Sequence, residues 1–294
     1  MSQPSPRTLQ RAILAWFEQN ARDLPWRRPE ASPWAIIVSE FMLQQTPVSR
    51  VLPKYEQWIV RWPTPAALAA EPSSEAVRAW GRLGYPRRAL RLHAAATAIV
   101  DQHSGEVPQT YMELLALPGV GDYTASAVAS FAYQQRHVVL DTNIRRVLAR
   151  AVGGVEFPSA SPTKAEREQA EVLVPADAET AARWNVAIME LGALVCTASS
   201  PRCEECPIAK QCAWRNAGYP KYDGPARRAQ SYDGTDRQCR GRLLAVLRDA
   251  EGPVHLSALE SAWPNGAQRQ RSLAGLLDDG LVVQVGPTTY SLPG

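Results

Sequence analysis

Four of the five cysteines in this 294-residue chain fall between residues 196 and 212. The segment reads CTASSPRCEECPIAKQC, so that successive cysteines are separated by six, two and five residues. Four thiolates on such a short loop can hold either an iron-sulfur cluster or a zinc ion, and the spacing alone does not separate the two. Four buried but unligated cysteines would be an unusual coincidence in a segment that also contains two prolines. The candidate metal ligands are Cys196, Cys203, Cys206 and Cys212.

A second segment has the composition of an anion-binding turn. Residues 117–133 read LPGVGDYTASAVASFAY, which predicts a helix ending at Pro118, a Gly-Val-Gly turn, and a new helix from Tyr123. The first amide groups of such a helix have no partners within the helix and can bind a phosphate without a cationic side chain. A plain connection between two helices would contain the same glycines, so that alternative stays open. The residues of the turn are Gly119, Val120 and Gly121.

Glu40 is the only charged residue in the apolar segment WAIIVSEFMLQQ, residues 34–45. A helix that buries this segment would bury a carboxyl group, which is costly unless the group is paired or used. Burial favours the protonated form, and a general acid must be protonated before it acts. A glutamate on the helix surface is the alternative. Gln44 and Gln45 follow directly, and the sequence does not decide whether they cap a turn or contact the edge of a base.

Asp141 and Asn143 stand at the start of the segment LDTNIRRVLAR, and Asp141 comes twenty residues after the second glycine of the turn. An aspartate in front of a helix is usually an N-cap, whose side chain accepts a hydrogen bond from the first turn. A carboxylate at the same place is also able to act on a bound ligand. The sequence leaves both interpretations open.

Apolar residues recur with a helical period in nearly every segment up to residue 215, and prolines and glycines separate these segments. Strand-like alternation is almost absent there, so the fold class is predicted to be all-α. Residues 219–238 have the turn-forming, charged composition of a linker. The remaining residues predict three short helices and a β-hairpin, which together form a small winged-helix-like α+β tail. Cys239 lies outside the cysteine pattern and is interpreted as an incidental linker thiol.

The overall composition is that of a globular protein with about two domains, at 45% hydrophobic and 21% charged residues. No apolar run is long enough to cross a bilayer, and the first residues, MSQPSPRTLQ, do not form an apolar signal segment. We therefore expect a cytoplasmic protein, where clustered cysteines hold metals more often than they form disulfides. The net charge is only +3, and nearly all basic residues are arginine. That preference suits phosphate contacts and would equally follow from a GC-rich genome.

Taken in order along the chain, these motifs resemble those of the helix-hairpin-helix DNA glycosylases that carry an iron-sulfur cluster. Within that superfamily they are most similar to the adenine-specific branch. The resemblance runs from about Leu9 to Cys212. The matching motifs are LPW at 24–26, SEFMLQQT, LGY at 83–85, LPGVGDYTA, LDTNIRRVLAR, ELGALVC and the cysteine spacing.

The resemblance implies a six-helix barrel that contains the helix-hairpin-helix motif, an iron-sulfur cluster domain, and a cleft between the two. It also implies a structural 4Fe-4S cluster on the four cysteines, and a metal cation held by the carbonyl groups of Leu115, Leu117 and Val120. The expected domains are an N-terminal helix that joins the cluster domain (1–25), the barrel (26–133), the cluster domain (134–218), the linker (219–238) and the tail (239–294).

The same resemblance implies an enzyme of base-excision repair that binds double-stranded DNA, flips out an adenine mispaired with 8-oxoguanine or guanine, and hydrolyses its N-glycosidic bond. Glu40 matches the acid that protonates the adenine, and Asp141 matches the carboxylate that stabilises the sugar cation. Asn143 orients Asp141 in such an enzyme, and Tyr123 lies beside it. Further matches are Arg22, Trp26, Arg27 and Leu43 for the base pocket and Gln44, Gln45, Tyr85, Gly119, Val120 and Gly121 for DNA binding.

Other functions stay open at this point. An endonuclease III-type pyrimidine glycosylase would use a lysine where this chain has Tyr123, and no lysine occurs between Lys54 and Lys164. A glycosylase for mismatched thymine would share the hairpin but would not be expected to keep the glutamate of SEFMLQQT. A non-catalytic iron-sulfur DNA-binding regulator would need neither Glu40 nor Asp141.

The tail is the least defined part of the sequence. Relatives commonly recognise 8-oxoguanine with a Nudix-like domain, and the residues after the linker are too few for one. The tail either contacts DNA in its place, helped by Arg269 and Arg271, or packs on the body, and we favour DNA contact. One polypeptide supplies every candidate site, so we expect a monomer with no membrane partner.

Overall fold

The computed structural model describes residues 5–224 and 232–294, and the body of the chain is helical. The predicted all-α body is therefore confirmed. Short 3-10 turns occur at Pro25–Arg27, Cys203–Glu205 and Ala209–Gln211. The helices before the gap are α1 Pro6–Asn20, α2 Pro33–Leu43, α3 Val48–Arg61, α4 Pro65–Ala69, α5 Ser73–Trp80, α6 Arg87–His103, α7 Tyr111–Ala116, α8 Asp122–Tyr133, α9 Thr142–Ala151, α10 Lys164–Leu173, α11 Ala178–Leu194 and α12 Ala213–Asn216.

One compact unit comprises residues 5–36, 109–116 and 120–224. Its core forms where the apolar faces of α1, α9, α10 and α11 meet, with α11 packed against both α1 and α9. Local sequence begins each of these helices. Ser5, Thr163 and Asp177 cap α1, α10 and α11 by accepting a hydrogen bond from a first-turn amide. The result is a rigid frame around α9, which carries Asp141 at its start.

A second compact unit comprises residues 37–108, 117–119 and 232–294. Three tryptophans occupy its centre. The ring of Trp58 lies edge-on to those of Trp62 and Trp80, with centroids 4.6 and 5.8 Å apart, and each residue is at most 1% exposed. Edge-to-face aromatic pairs of this kind add to the free energy of burying apolar area. This core fixes α3 and α5, and with them the loop that follows α5.

The tail consists of three helices and three strands. Strand β3 pairs antiparallel with both β1 and β2, so the sheet order is β1-β3-β2. Helix, strand, two helices and a terminal hairpin in this arrangement form a winged helix, as the sequence predicts. The elements are α13 Asp236–Asp249, β1 Val254–His255, α14 Leu256–Ala262, α15 Gly266–Asp278, β2 Val283–Gly286 and β3 Thr289–Ser291.

Three details differ from the sequence-based expectation. Helix α7 ends at Ala116 and α8 begins at Asp122, so each helix boundary is shifted by one or two residues. Cys239 is not a linker thiol: it is fully buried in α13 because it lies on the same helical stripe as Leu243 and Leu247. The predicted linker, 219–238, includes 225–231, which lie outside the described residues, and its last three residues belong to α13.

Among the described residues, every helix is too short or too polar to span a lipid bilayer.

Candidate active site and cysteine loop

Asp141 is the N-cap of α9 and is also held by a second, separate hydrogen bond. Its Oδ1 accepts a hydrogen bond from the Ile144 amide at 2.6 Å, and its Oδ2 accepts one from Asn143 Nδ2 at 2.7 Å. Burial raises the pKa of Asp141 above its ordinary value, and these hydrogen bonds partly oppose the rise. The structural interpretation of Asp141 is therefore correct, and it does not exclude the chemical one, because the cap also fixes the carboxylate in one orientation.

Asn143 is itself positioned by Arg146, one turn along α9. Arg146 Nη2 donates to Asn143 Oδ1 at 2.8 Å and to the Gly192 carbonyl at 2.7 Å, while its Nε donates to the Cys196 carbonyl at 2.7 Å. A continuous chain of hydrogen bonds thus links Asp141 to the first cysteine of the loop. Gly192 permits this approach, since a Cβ atom there would lie 2.7 Å from the Cβ of Asn143.

The four cysteines of the loop line one cavity between α9, α11 and the segment that follows α11. The pKa of the Cys206 thiol is raised to about 12, mainly by burial, and the three neighbouring thiols contribute to the rise. Four thiols that line one cavity suit a centre that supplies positive charge, as iron does when thiolates ligate it. The residues present therefore fit an iron-sulfur cluster.

Arg150 fixes the shape of the cysteine loop and was not identified from the sequence. It is 1% exposed, and its guanidinium donates to the carbonyls of Glu156, Thr197 and Ala198 at 2.9, 2.7 and 3.0 Å. Its Nη1 also lies 3.4 Å from Cys196 Sγ. Arg146 and Arg150, both on α9, therefore bind internal carbonyl groups.

Glu40 lies inside α2 and is 5% exposed, so the surface alternative for this residue is wrong. The end of α2 is held by Arg88, another residue that sequence reasoning did not find. Arg88 Nη1 donates to the carbonyls of Phe41, Met42 and Gln44 at 2.8, 3.2 and 2.5 Å. Burial lowers the pKa of Arg88 to about 10. A guanidinium that caps the helix end in this way fixes the segment on which Glu40 lies.

The same guanidinium also reaches the turn after α5. Arg88 Nη2 donates to Thr46 Oγ1 at 3.1 Å and to the Gly84 carbonyl at 3.2 Å. Gln45 and Tyr85, both assigned to DNA contact from sequence, have positive φ angles of 53° and 47° and are exposed. Within the second unit, Arg88 therefore connects the two turns that present these side chains.

The glycine turn has the expected helix-hairpin-helix geometry. Gly119 has a φ of 77°, and a Cβ atom there would lie 2.6 Å from the Cβ of Arg91, so only glycine fits. Gly121 begins α8 without a side-chain cap. The carboxylate of Asp122, the first residue of the helix, accepts a hydrogen bond from the Tyr111 hydroxyl at 2.7 Å and forms an ion pair with Arg167. These partners neutralise a negative charge that would otherwise oppose an anion at the helix start.

Arg22 and Arg27, assigned to the base pocket from sequence, both bind the buried carboxylate of Glu190. Arg22 donates from Nε and Nη2 at 2.8 and 2.6 Å, and Arg27 donates from Nη2 at 2.9 Å. Burial alone would raise the pKa of Glu190, but the hydrogen bonds from the two arginines outweigh it and lower the pKa to about 2. Arg27 Nη1 is buried and has no hydrogen-bond partner within the described part of the chain.

The remaining sequence-based assignments also have defined positions. Trp26 is 7% exposed and lies in the same 3-10 turn as Arg27. Leu43 is the last residue of α2 and is half-buried. Tyr123, in the first turn of α8, packs against the same apolar core as α9. Gln44 is half-buried, and Val120 is 8% exposed.

Two family models match the chain at these positions. The first, "HhH-GPD superfamily base excision DNA repair protein", matches residues 38–174, which contain Glu40, the glycine turn and Asp141. The second, "Iron-sulfur binding domain of endonuclease III", matches residues 196–212, which are the cysteine loop. A protein from Mycobacterium tuberculosis with the name "Adenine DNA glycosylase" is 54% identical over 96% of this chain and 92% of its own length.

The chain belongs to the adenine DNA glycosylase family.

Solved structures of other proteins share the fold of this chain. A thermostable thymine-DNA glycosylase has a TM-score of 0.64 at 28% identity, covering 72% of this chain and 97% of that one. An endonuclease III trapped in a covalent intermediate with DNA has a TM-score of 0.62 at 22% identity, covering 74% of this chain and all of that one. The expected helix-hairpin-helix glycosylase fold is therefore confirmed. The family matches also support DNA binding and an iron-sulfur centre on the four cysteines.

Proposed function

We propose that the protein excises adenine mispaired with 8-oxoguanine or guanine, hydrolysing the N-glycosidic bond in the first step of base-excision repair. The observation that carries the proposal is a pair of carboxyl groups held in different environments. Glu40 is buried in the apolar helix α2, and Asp141, half-buried at the start of α9, accepts hydrogen bonds from an amide and from Asn143. Carboxyl groups held in unlike environments take opposite protonation roles.

Glu40 serves as the general acid. Adenine leaves poorly as an anion, so a ring nitrogen must be protonated as the bond to the sugar breaks. Glu40 is 5% exposed within the apolar helix α2, and it is proposed to be protonated when the base enters, so that it carries the proton to be given. The proton moves from Glu40 to the base, and the electron pair of the glycosidic bond leaves with the adenine.

Asp141 stabilises the sugar cation that remains. The departing base leaves positive charge on the deoxyribose, and a carboxylate fixed by Asn143 and by the Ile144 amide needs no reorganisation to oppose it. Water then adds to the sugar carbon and loses its proton, which completes hydrolysis. Tyr123, half-buried in the first turn of α8, is proposed to lie beside this carboxylate.

The adenine pocket is proposed to form around Arg22, Trp26, Arg27 and Leu43. Glu190 holds the two guanidiniums in place, and the buried Arg27 Nη1 offers a hydrogen-bond donor whose partner a bound base would supply. Trp26 provides an aromatic surface of the kind against which flipped bases stack.

Duplex contact is proposed for the glycine turn and for the two exposed residues with positive φ. The amides at the start of α8 suit a phosphate, and Gln45 and Tyr85 suit the space that the flipped adenine leaves. The carbonyl groups of Leu115, Leu117 and Val120 are proposed to hold a metal cation at this turn. Gln44 is proposed to contact DNA as well.

The centre on the four cysteines is proposed to be a 4Fe-4S cluster with a structural role. The four thiols line one cavity, and Arg146 and Arg150 hold the loop through its carbonyl groups. A bound cluster would supply the positive charge that lets all four thiols ionise. The protein is further proposed to be a cytoplasmic monomer.

A thymine or pyrimidine glycosylase is the second candidate, because the thymine-DNA glycosylase structure shares the fold at 28% identity. A strand-cutting route through a hairpin lysine is disfavoured, because Tyr123 stands at that position and no lysine lies between Lys54 and Lys164.

Single-turnover base release from a panel of duplexes tests the proposal. The panel carries adenine opposite 8-oxoguanine, guanine, cytosine or thymine, together with a thymine–guanine mismatch and an oxidised pyrimidine. We expect release of adenine opposite 8-oxoguanine and guanine and no release of pyrimidines. Release of thymine or of the oxidised pyrimidine without release of adenine would contradict the proposal and favour the second candidate.

A further inference from the structure

The turn that follows α5 is held in an unusual backbone conformation. Gly81, Gly84 and Tyr85 all have positive φ angles, of 58°, 89° and 47°. Glycine adopts such angles freely, but a tyrosine does so only when its surroundings hold it there. Tyr85 is also half exposed, so burial of its ring does not supply that restraint.

Residues of α5 and α6, the helices on either side of the turn, supply part of the restraint. Trp80 Nε1 donates to the Gly84 carbonyl at 3.0 Å, and the Arg88 amide donates to the Tyr85 carbonyl at 3.0 Å. The Arg88 guanidinium lies 5.4 Å from the centroid of the Tyr85 ring. These contacts fix the backbone of the turn and approach the ring from one direction.

The tail supplies a second set of contacts, and all of them come from α13. Arg237, in the first turn of this helix, places its guanidinium 5.7 Å from the centroid of the Tyr85 ring. Arg248, near the other end, donates from Nη1 to the Gly81 carbonyl. The two arginines are eleven residues apart, or roughly 16 Å along the helix. Helix α13 therefore runs beside the whole turn.

The tail is fixed to the same surface at several points. Arg78, at the end of α5, donates to the carbonyls of Leu247 and Arg248 and so caps the C-terminal end of α13. Asp279, just after α15, forms an ion pair with Arg87 at 3.1 Å and another with Arg240. Arg78 and Arg87 thus bind a carbonyl or carboxylate group of the tail, and Arg248 of the tail binds a carbonyl group of the turn after α5.

The helix that would read DNA in a winged helix, α15, is not equipped for that role. Arg269 donates to the Trp263 carbonyl at 2.8 Å and to Glu260 at 3.1 Å, and Arg271 forms two hydrogen bonds with Asp236. Over residues 232–294 the sequence has six arginines, no lysine and seven acidic residues, so the tail has no excess of positive charge. Basic surface is the usual requirement for phosphate contact. The expectation that Arg269 and Arg271 contact DNA is therefore not supported.

We propose that the winged-helix tail is a brace for Tyr85, and that Arg237 is a positioning residue which holds the Tyr85 ring ready to enter the duplex. The tail then acts on DNA indirectly, by fixing the turn at residues 81–85. This inference rests on the proposed function, in which Tyr85 fills the space left by the flipped adenine. A cation over the ring face stabilises one ring orientation and leaves the opposite edge of the ring free for the DNA.

The test compares Arg237→Ala with Arg237→Lys, and uses Arg242→Ala as the matched control because Arg242 is exposed on the same helix. Each change is made in the full chain with Glu40→Gln, so that binding to a duplex with adenine opposite 8-oxoguanine is measured without base release. A 2-aminopurine beside the 8-oxoguanine gains fluorescence when an inserted side chain unstacks it.

We expect Arg237→Ala to lower the fluorescence gain about 5-fold, Arg237→Lys to restore most of it, and Arg242→Ala to match the parent. Cluster absorption and the melting temperature are measured for each variant, so that a folding defect is recognised. A full fluorescence gain with Arg237→Ala would overturn the proposal.

A double-mutant cycle with Tyr85→Ala separates positioning from a general effect. If Arg237 acts through Tyr85, Arg237→Ala has no further effect on duplex affinity or on adenine release once Tyr85 is removed. Additive effects would overturn the proposal. If the unsubstituted chain releases adenine but its Glu40→Gln form shows no fluorescence gain, both the insertion of Tyr85 and the brace are overturned. If the Glu40→Gln form shows the gain but the unsubstituted chain releases no adenine, the proposed reaction alone is contradicted, and Arg237 is still testable by fluorescence.

Discussion

The side chain of Asn143 lies between Asp141 and Arg146 and hydrogen-bonds to both, at 2.7 and 2.8 Å. Asp141 is thereby fixed by its own helix rather than by a neighbouring loop. Arg146 continues the chain to the carbonyls of Gly192 and Cys196. The orientation of the carboxylate is thus linked to the position of the cysteine loop, so a disturbance of that loop reaches Asp141 through two side chains.

Replacing Asn143 by alanine tests this orientation. The carboxylate loses the hydrogen bond from the Asn143 side chain, and we expect single-turnover adenine release to slow about 100-fold, as small displacements of catalytic groups typically cause. Duplex affinity and the melting temperature should change little. Asn20→Ala is the control, because Asn20 bonds only its own helix end and is exposed. Equal rates for the two variants would show that Asn143 does not position Asp141.

The pH dependence of the rate gives a second test of the same pair. Burial raises the pKa of Asp141, and only its ionised form opposes a sugar cation, so the rate should rise with pH through a midpoint above the ordinary aspartate value. The Asn143 hydrogen bond lowers that pKa, so Asn143→Ala should move the midpoint to higher pH. A midpoint that stays fixed, or that moves to lower pH, would contradict this assignment.

The glycine turn allows a matched pair of substitutions. Gly119→Ala places a methyl group 2.6 Å from the Cβ of Arg91 at a positive φ, whereas Gly121→Ala meets nothing within 4 Å. We expect Gly119→Ala to lower the free energy of unfolding by about 1–3 kcal/mol, and Gly121→Ala to lower it by less than about 1 kcal/mol, the loss expected when alanine replaces glycine at a helix N-cap. Chemical denaturation measures both values. Similar losses for the two variants would mean that the close approach at Gly119 does not constrain the turn.

The iron-sulfur assignment is tested by replacing a cysteine of the loop with serine, and the same replacement at a buried cysteine outside the loop is the control. Cys206→Ser should abolish the brown colour and the visible absorption of the purified protein, because it removes one of four ligands. Cys239→Ser, in the core of the tail, should retain both. Iron and sulfide analysis of the parent should give about four of each per chain. A colourless parent that contains zinc would rule out the cluster.

Much of the site could be predicted from the sequence because its motifs are local. The cysteine spacing, the Gly-Val-Gly turn, and the carboxyl groups of Glu40 and Asp141 each belong to one short segment with a physical reason for its composition. The winged-helix tail could also be predicted, because its three helices and its hairpin each have a local sequence pattern. Helix ends differed from the prediction by one or two residues because periodicity fixes the middle of a helix better than its ends.

The residues that sequence reasoning missed are those whose partners lie far along the chain. Glu190 binds Arg22 and Arg27, and Arg88 binds carbonyls more than forty positions away. Glu190 had a usable signal, since it stands in the apolar helix segment NVAIMELGALV just as Glu40 does in its own. Arg88 had none, because arginine at a helix start is ordinary and only the fold shows the carbonyl groups it reaches.

The role of Glu40 as general acid is tested by single-turnover release of adenine opposite 8-oxoguanine by Glu40→Gln. Duplex affinity is measured for the same variant, and Glu56→Gln, at an exposed glutamate, is the control. We expect Glu40→Gln to lose about 1,000-fold or more in rate with affinity retained, and Glu56→Gln to match the parent. Release by Glu40→Gln within a few fold of the parent would contradict this role, since the adenine would then be protonated by another group.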